Sequence, residues 1–203
     1  MLSAELHHTI HDILARANTD TADGIDSADI LQIGTLFGSL NDVQRHLTRQ
    51  HQRRLLLQLL TIQHLVPIWD HYLPDDHRLL DTLGAMLSLV MKRLSPEQAQ
   101  QALDHLWEHI DTYPHHPPAI EHISISLYTT LKVLDMIENP KPAFSDYTPD
   151  THAGVALRYA AQAYVTHQTA DKHKQHYHYR QYWRYWLTEI LPRAWFALPE
   201  DTT

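Results

Sequence analysis

Apolar residues recur at three- and four-residue steps along most of this chain, most plainly as Leu79, Leu80, Leu83, Met86, Leu87, Val90 and Leu94. That period gathers apolar side chains on one face of a helix, whereas a strand needs a period of two. Leu6, Ile10, Ile13 and Leu14 show it near the start. So do Val43, Leu47, Leu55, Leu59, Ile62 and Val66, and then Ile120, Ile123, Leu127, Leu131 and Leu134. Eleven prolines punctuate these runs, and five glycines are few for the positive-φ turns of a hairpin-rich β protein. The expected fold is all-α: a bundle or array of about seven to eight helices, with residues 1–203 as one domain.

The spacing predicts helices over 2–17, 28–37, from Asn41 to about Trp69, from Pro74 to Leu94, from Pro96 onward, and over 119–137, 153–167 and 171–196. Ser95-Pro96-Glu97-Gln98 is a capping-box start. Pro67 and Pro192 should kink or end their helices. Residues 18–29 and 139–150 read as loops. The long 41–69 helix has Arg45, Arg49, Arg53 and Arg54 on its solvent side. The alanines after Ala153 predict close helix packing. The last helix, apolar nearly all round from Tyr177 to Trp186, should be buried on several sides.

Without cysteine, disulfide scaffolds, thiolate metal sites and cysteine nucleophiles are ruled out. With 24 acidic against 16 basic residues, the formal charge of -8 argues against direct nucleic-acid binding. The opening MLSAELHHTIHDI lacks a basic segment followed by an apolar one, and no apolar run suits a membrane span. The expectation is a cytoplasmic protein with no membrane contact and no cofactor.

His105-Leu106-Trp107-Glu108-His109 has the H-x-x-E-H spacing. It puts two imidazoles on one helix face beside a carboxylate, as a zinc hydrolase needs. Among 18 histidines such pairs arise by chance (His7 and His11 form another), so a solvated helix face is the stronger reading. His173, His176 and His178 among lysines read as a solvated helix start rather than a metal or anion site. The aromatic run reads as core rather than a base-stacking platform. Acids concentrate at Asp20, Asp23, Asp26 and Asp29, and again at Glu97, Asp104, Glu108 and Asp111. Both groups are expected to face a basic protein partner, where such charge speeds encounter and selects the partner.

Two segments carry a resemblance. Leu65-Val66-Pro67-Ile68-Trp69-Asp70 followed by Pro74-Asp75-Asp76-His77-Arg78 matches [LV]-P-[IL]-W and P-x-D-x-R. The run from Tyr179 to Trp195, with Arg180, Trp183, Trp186, Leu187, Pro192 and Ala194, resembles R-x-[FY]-W-x-[WY]-[WY]-L-x-x-x-[IV]-P-x-A-[WY]. In this order the pair resembles an all-helical family of immunity proteins of bacterial polymorphic-toxin, contact-dependent-inhibition systems, immunity family number five. Tyr179 stands where that family often has a second arginine, and Leu79 where it often has proline. The resemblance implies a non-enzymatic role: binding a cognate toxin C-terminal domain and occluding its active site. An acidic protein suits a basic nuclease toxin. Pro67, Trp69, Asp76, Arg78, Arg180, Trp183, Trp186, Leu187, Pro192 and Ala194 would then be structural, with Arg180 bonded to a carboxylate or a helix end. Two other readings stand beside it: a metal-dependent hydrolase using His105, Glu108 and His109, and a helical scaffold without a toxin. The surplus aromatics leave self-association open.

Overall fold

The computed structural model describes residues 3–17, 25, 27–42, 48–91, 93–113, 117–139 and 148–198. The α-helices among them are α1 (Ala4–Ala17), α2 (Ser27–Phe37), α3 (Arg49–Gln63), α4 (Val66–Tyr72), α5 (Arg78–Val90), α6 (Pro96–Ile110), α7 (Pro118–Glu138), α8 (Pro149–Gln168), α9 (Lys172–Tyr185) and α10 (Leu191–Phe196). A 3-10 turn occupies Leu40–Asp42 and a π turn Trp186–Ile190. Only a turn at His64 and Leu65 separates α3 from α4, and α9, the π turn and α10 run on without a gap. The described residues thus form about eight rods with no strand, the all-α class that the periodicity predicts.

The starts and breaks have local causes. Ser95 and Gln98 exchange the two bonds of a capping box, Gln98 N to Ser95 Oγ at 3.3 Å and Ser95 N to Gln98 Oε1 at 2.9 Å. A box not foreseen opens α3: Thr48 Oγ1 accepts from His51 N, and His51 Nδ1 accepts from Thr48 N at 3.1 Å. The predicted cap, Asn41, instead lies in the 3-10 turn, and the predicted helix over 43–47 falls outside the described residues. Pro67 takes the first turn of α4, where its missing N–H is harmless. Pro192 is accommodated differently. In a continuous α-helix it would deprive the Thr188 carbonyl of a donor and strike it. The chain widens by one residue instead, the Leu191 N–H reaching the Trp186 carbonyl, and restarts as α10 with Pro192 in its first turn.

α3 lies in the middle and packs against α2, α5, α7, α8 and α10. It buries His51, Arg54, Gln58 and Thr61 together with Leu55, Leu56, Leu57, Leu59 and Ile62, so it has no broad solvent side. Arg54 is 4% exposed, which overturns its placement on a basic outer face. α7 and α8 form the most extensive pair, as the alanines suggested: Ala153, Ala156, Ala160, Ala161 and Ala163 are all buried. Ser126 Oγ donates across to the Ala156 carbonyl at 2.8 Å. The other buried hydroxyls of α7, on Ser124, Thr129 and Thr130, donate to carbonyls four residues back, at 2.7–3.0 Å.

All-round burial of the last helix does not hold. In α9 only Tyr182 and Trp183 are buried, while Tyr177 is 54% exposed. Burial continues only past Tyr185, at Trp186, Leu187, Ile190, Leu191 and Ala194. Among the described residues no helix is long and apolar enough to cross a membrane.

Candidate partner surface and the clusters behind it

Glu97, Asp104 and Glu108 lie on one side of α6, opposite buried Leu103 and Leu106, and exposed Asp111 follows just past its end. Glu97 accepts from Ser95 Oγ at 2.9 Å, and Asp104 accepts from Gln100 Nε2 at 2.8 Å. The Glu97 carboxyl is held below its ordinary value, first by a bond to its own backbone N–H and then by the Ser95 hydroxyl. His105 is exposed, and the side chain of His109 lies outside the described residues. Among the described residues no three His, Asp or Glu groups converge to hold a metal ion.

The second acidic group behaves otherwise. Asp20, Asp23 and Asp26 lie outside the described residues. Asp29 is 7% exposed and pairs with Arg16 at 2.5 Å, tying α2 to α1. It is therefore not an open contact residue, because its helix turns the carboxylate inward toward a cation.

The first motif folds into a knot between α4, α5 and the end of α6. Fully buried Trp69 donates its Nε1 proton to the Asp76 carbonyl at 2.9 Å. The Asp76 carboxylate accepts from Arg78 Nε at 2.9 and 3.0 Å and also from Nη2, in a fork-on-fork pair. Arg78 Nη1 then reaches the Thr112 carbonyl at 3.0 Å, and its guanidinium lies 5.3 Å from the Tyr113 ring centre. Tyr113 hydrogen-bonds both the Arg78 carbonyl (3.0 Å) and Thr82 Oγ1 (2.5 Å). Burial pushes its phenol up to about 12. The motif's charges thus hold α5 against α6, with Thr112 and Tyr113 as partners that the pattern did not mark.

The second motif fills the core beside α3. Trp186 donates to Thr61 Oγ1 at 2.9 Å, and Trp183 meets its ring edge-on at 5.5 Å. Arg180 is half-buried on α9. Leu187 and Ala194 are buried, as a structural role requires.

A third cluster escaped the sequence reading. Arg54 Nη2 pairs with Asp150 Oδ1 at 3.0 Å, both side chains under 10% exposed. Asp150 also accepts from Leu40 N at 3.1 Å and Ser39 Oγ at 2.6 Å, and its own N–H donates to Asn41 Oδ1. The start of α8 is thereby tied to the segment after α2 and to α3. Gly34 makes room: a Cβ there would lie 1.9 Å from Arg54 Nη1. A glycine inside a predicted helix was the one local signal of such an approach.

Imidazoles line the ends of α3, α4, α7 and α8. His64 stacks on Tyr185 at 4.4 Å, and His167 sits 5.2 Å from His71 beside Tyr72. His64, His122, His152 and His167 are all held below the ordinary histidine value, in each case first by burial. Arg193, Lys132 and His71 add to this at His64, His152 and His167 respectively. The folded chain therefore keeps them neutral where the unfolded chain, near about 6.5, takes up protons. Their stabilisation is complete above that value and is lost as pH falls through the lowered folded values. The urea midpoint is expected to drop between pH 7.5 and pH 5 at constant ionic strength. A midpoint that stayed level or rose across that window would contradict this.

The chain is thus all-helical, and its motif residues hold the helices together. The family model described as Immunity protein Imm5 matches residues 33–193, and the chain belongs to that family. No curated protein and no solved structure matches it.

Proposed function

We propose that this chain protects its own cell by binding the toxic C-terminal domain of a secreted bacterial protein in the cytoplasm and covering its active site, without catalysis of its own. Membership of the Imm5 immunity family carries this reading. The toxin class that fits the charge is a nuclease. Such a domain must be cationic to hold a phosphate backbone, and a row of carboxylates competes for the same groups. We place the contact on Glu97, Asp104, Glu108 and Asp111, with Asp20, Asp23 and Asp26 of the preceding acidic stretch as a second group. The long-range attraction raises the encounter rate, and mismatched charges reject other toxins.

Co-expression tests it. Growth arrest by the toxin domain encoded beside this chain's gene should be relieved by the wild-type chain. With Glu97, Asp104, Glu108 and Asp111 reversed to lysine, affinity should fall by at least about tenfold and its dependence on salt should flatten. Arrest unrelieved by the wild type would sink the immunity reading. Unchanged affinity of the reversed variant would remove only the contact assignment.

A further inference from the structure

Gly34 and Gly84 both stand inside helices, where glycine destabilises relative to alanine. Arg54 accounts for Gly34. No contact among the described residues accounts for Gly84: it is exposed, and a Cβ there would meet none of their atoms within 4 Å. Leu80, 45% exposed, and Leu87, 38% exposed, flank it one turn to either side, on one stripe that half-buried Met91 continues. The adjoining flank of α5 is already used, with Leu79, Leu83, Met86 and Val90 buried. The apolar stripe of α5 is therefore wider than the part it packs. Its open margin is a shallow seat, two leucines beside a position where another backbone can come close.

The seat is rigid; exposed Arg93 follows Met91 at one end, and the helix beside it is acidic on its outer side. The Asp76–Arg78–Thr112 bonds pin α5 to the end of α6, which runs back beside it. Exposed Asp81 adjoins Leu80, and the outer side of α6 bears Glu97, Asp104 and Glu108, with Asp111 beyond. A second copy of this chain would bring the same carboxylates face to face at a net charge of -8 each. We infer that the Leu80–Gly84–Leu87 face of α5 is the anchoring seat for a cationic protein domain, which lays an apolar ridge across Gly84 and sets lysines or arginines against Asp81 and the α6 carboxylates. This rests on the immunity reading, under which that domain is the toxin. The carboxylates steer and the leucines hold, since buried apolar anchors supply most binding energy and rim charges mainly the encounter rate.

The test pairs binding with the melting of the free chain. Gly84→Ala should raise the melting temperature by about 2–4 °C, because alanine favours the helix and nothing obstructs it. Gly84→Gln should leave the melt unharmed yet weaken the complex with the purified toxin domain by at least about tenfold. Leu80→Ala with Leu87→Ala should weaken it about a hundredfold while leaving its salt dependence intact. A substitution that leaves the free fold sound while loosening the complex is not what a merely structural glycine produces. If the wild type binds the domain and all these variants bind equally well, the seat is wrong and the immunity reading stands. A wild type that neither binds nor relieves growth arrest brings down both. A wild-type dimer that Gly84→Gln dissociates would assign the face to self-association instead and overturn the proposal.

Discussion

Asp150→Ala is expected to lower the unfolding free energy by about 3–5 kcal/mol, the usual effect of removing one partner from a buried ion pair. Arg54 keeps its charge in the core, where burial already pulls its guanidinium below the ordinary value and Asp150 offsets part of that pull. Arg54 Nη1 has no partner among the described residues, so the carboxylate carries much of the compensation. The same substitution releases the Leu40 N–H and the Ser39 hydroxyl. The melting temperature should fall by about 6–20 °C, at roughly 2–4 °C per kcal/mol for a chain of this size. Arg54→Met combined with Asp150→Leu should lie much nearer the wild type, because an apolar pair strands no charge. Urea unfolding of the four corners of this cycle measures the coupling. A loss under about 1 kcal/mol for Asp150→Ala would mean that water reaches the guanidinium and the pair is not buried as described.

This pair also marks where reading the chain falls short of the fold. Leucine spacing is enough to find the rods, because every helix here buries an apolar stripe, and the start at Ser95 and the break before Pro67 follow from local bonding. Spacing cannot tell a central helix from a peripheral one. It assigned Arg54 to solvent because arginine seldom enters a core, yet α3 is enclosed by five other helices and its partner carboxylate comes from the far-off start of α8. Asp29 misled for a related reason: it was counted with its acidic neighbours, and only the packing of α1 brings Arg16 to it. The motif around Trp69 was legible as a pattern, whereas its completion by Thr112 and Tyr113 depends on α6 returning beside α5. Of the proposed partner surface, the α6 carboxylates were legible from composition. The α5 seat was not, because Leu80 and Leu87 share the helical period of the buried leucines and only their exposure sets them apart.

Gly34→Ala, a single added methyl, should destabilise the chain by about 3 kcal/mol, more than alanine's better helix propensity returns. The Cβ would sit 1.9 Å from Arg54 Nη1 and 2.2 Å from Cζ. A flexible surface arginine would swing aside at little cost. This guanidinium is 4% exposed and bound to Asp150, so moving it disrupts the buried pair and the bonds that hold the end of α2 to α8. The loss should therefore depend on its neighbour. With Arg54→Met and Asp150→Leu already in place, the methionine stops short of the guanidinium position. Gly34→Ala should then be neutral or stabilising by up to about 1 kcal/mol. Equal losses in the two backgrounds, read from urea midpoints at constant slope, would show that the methyl meets something other than Arg54.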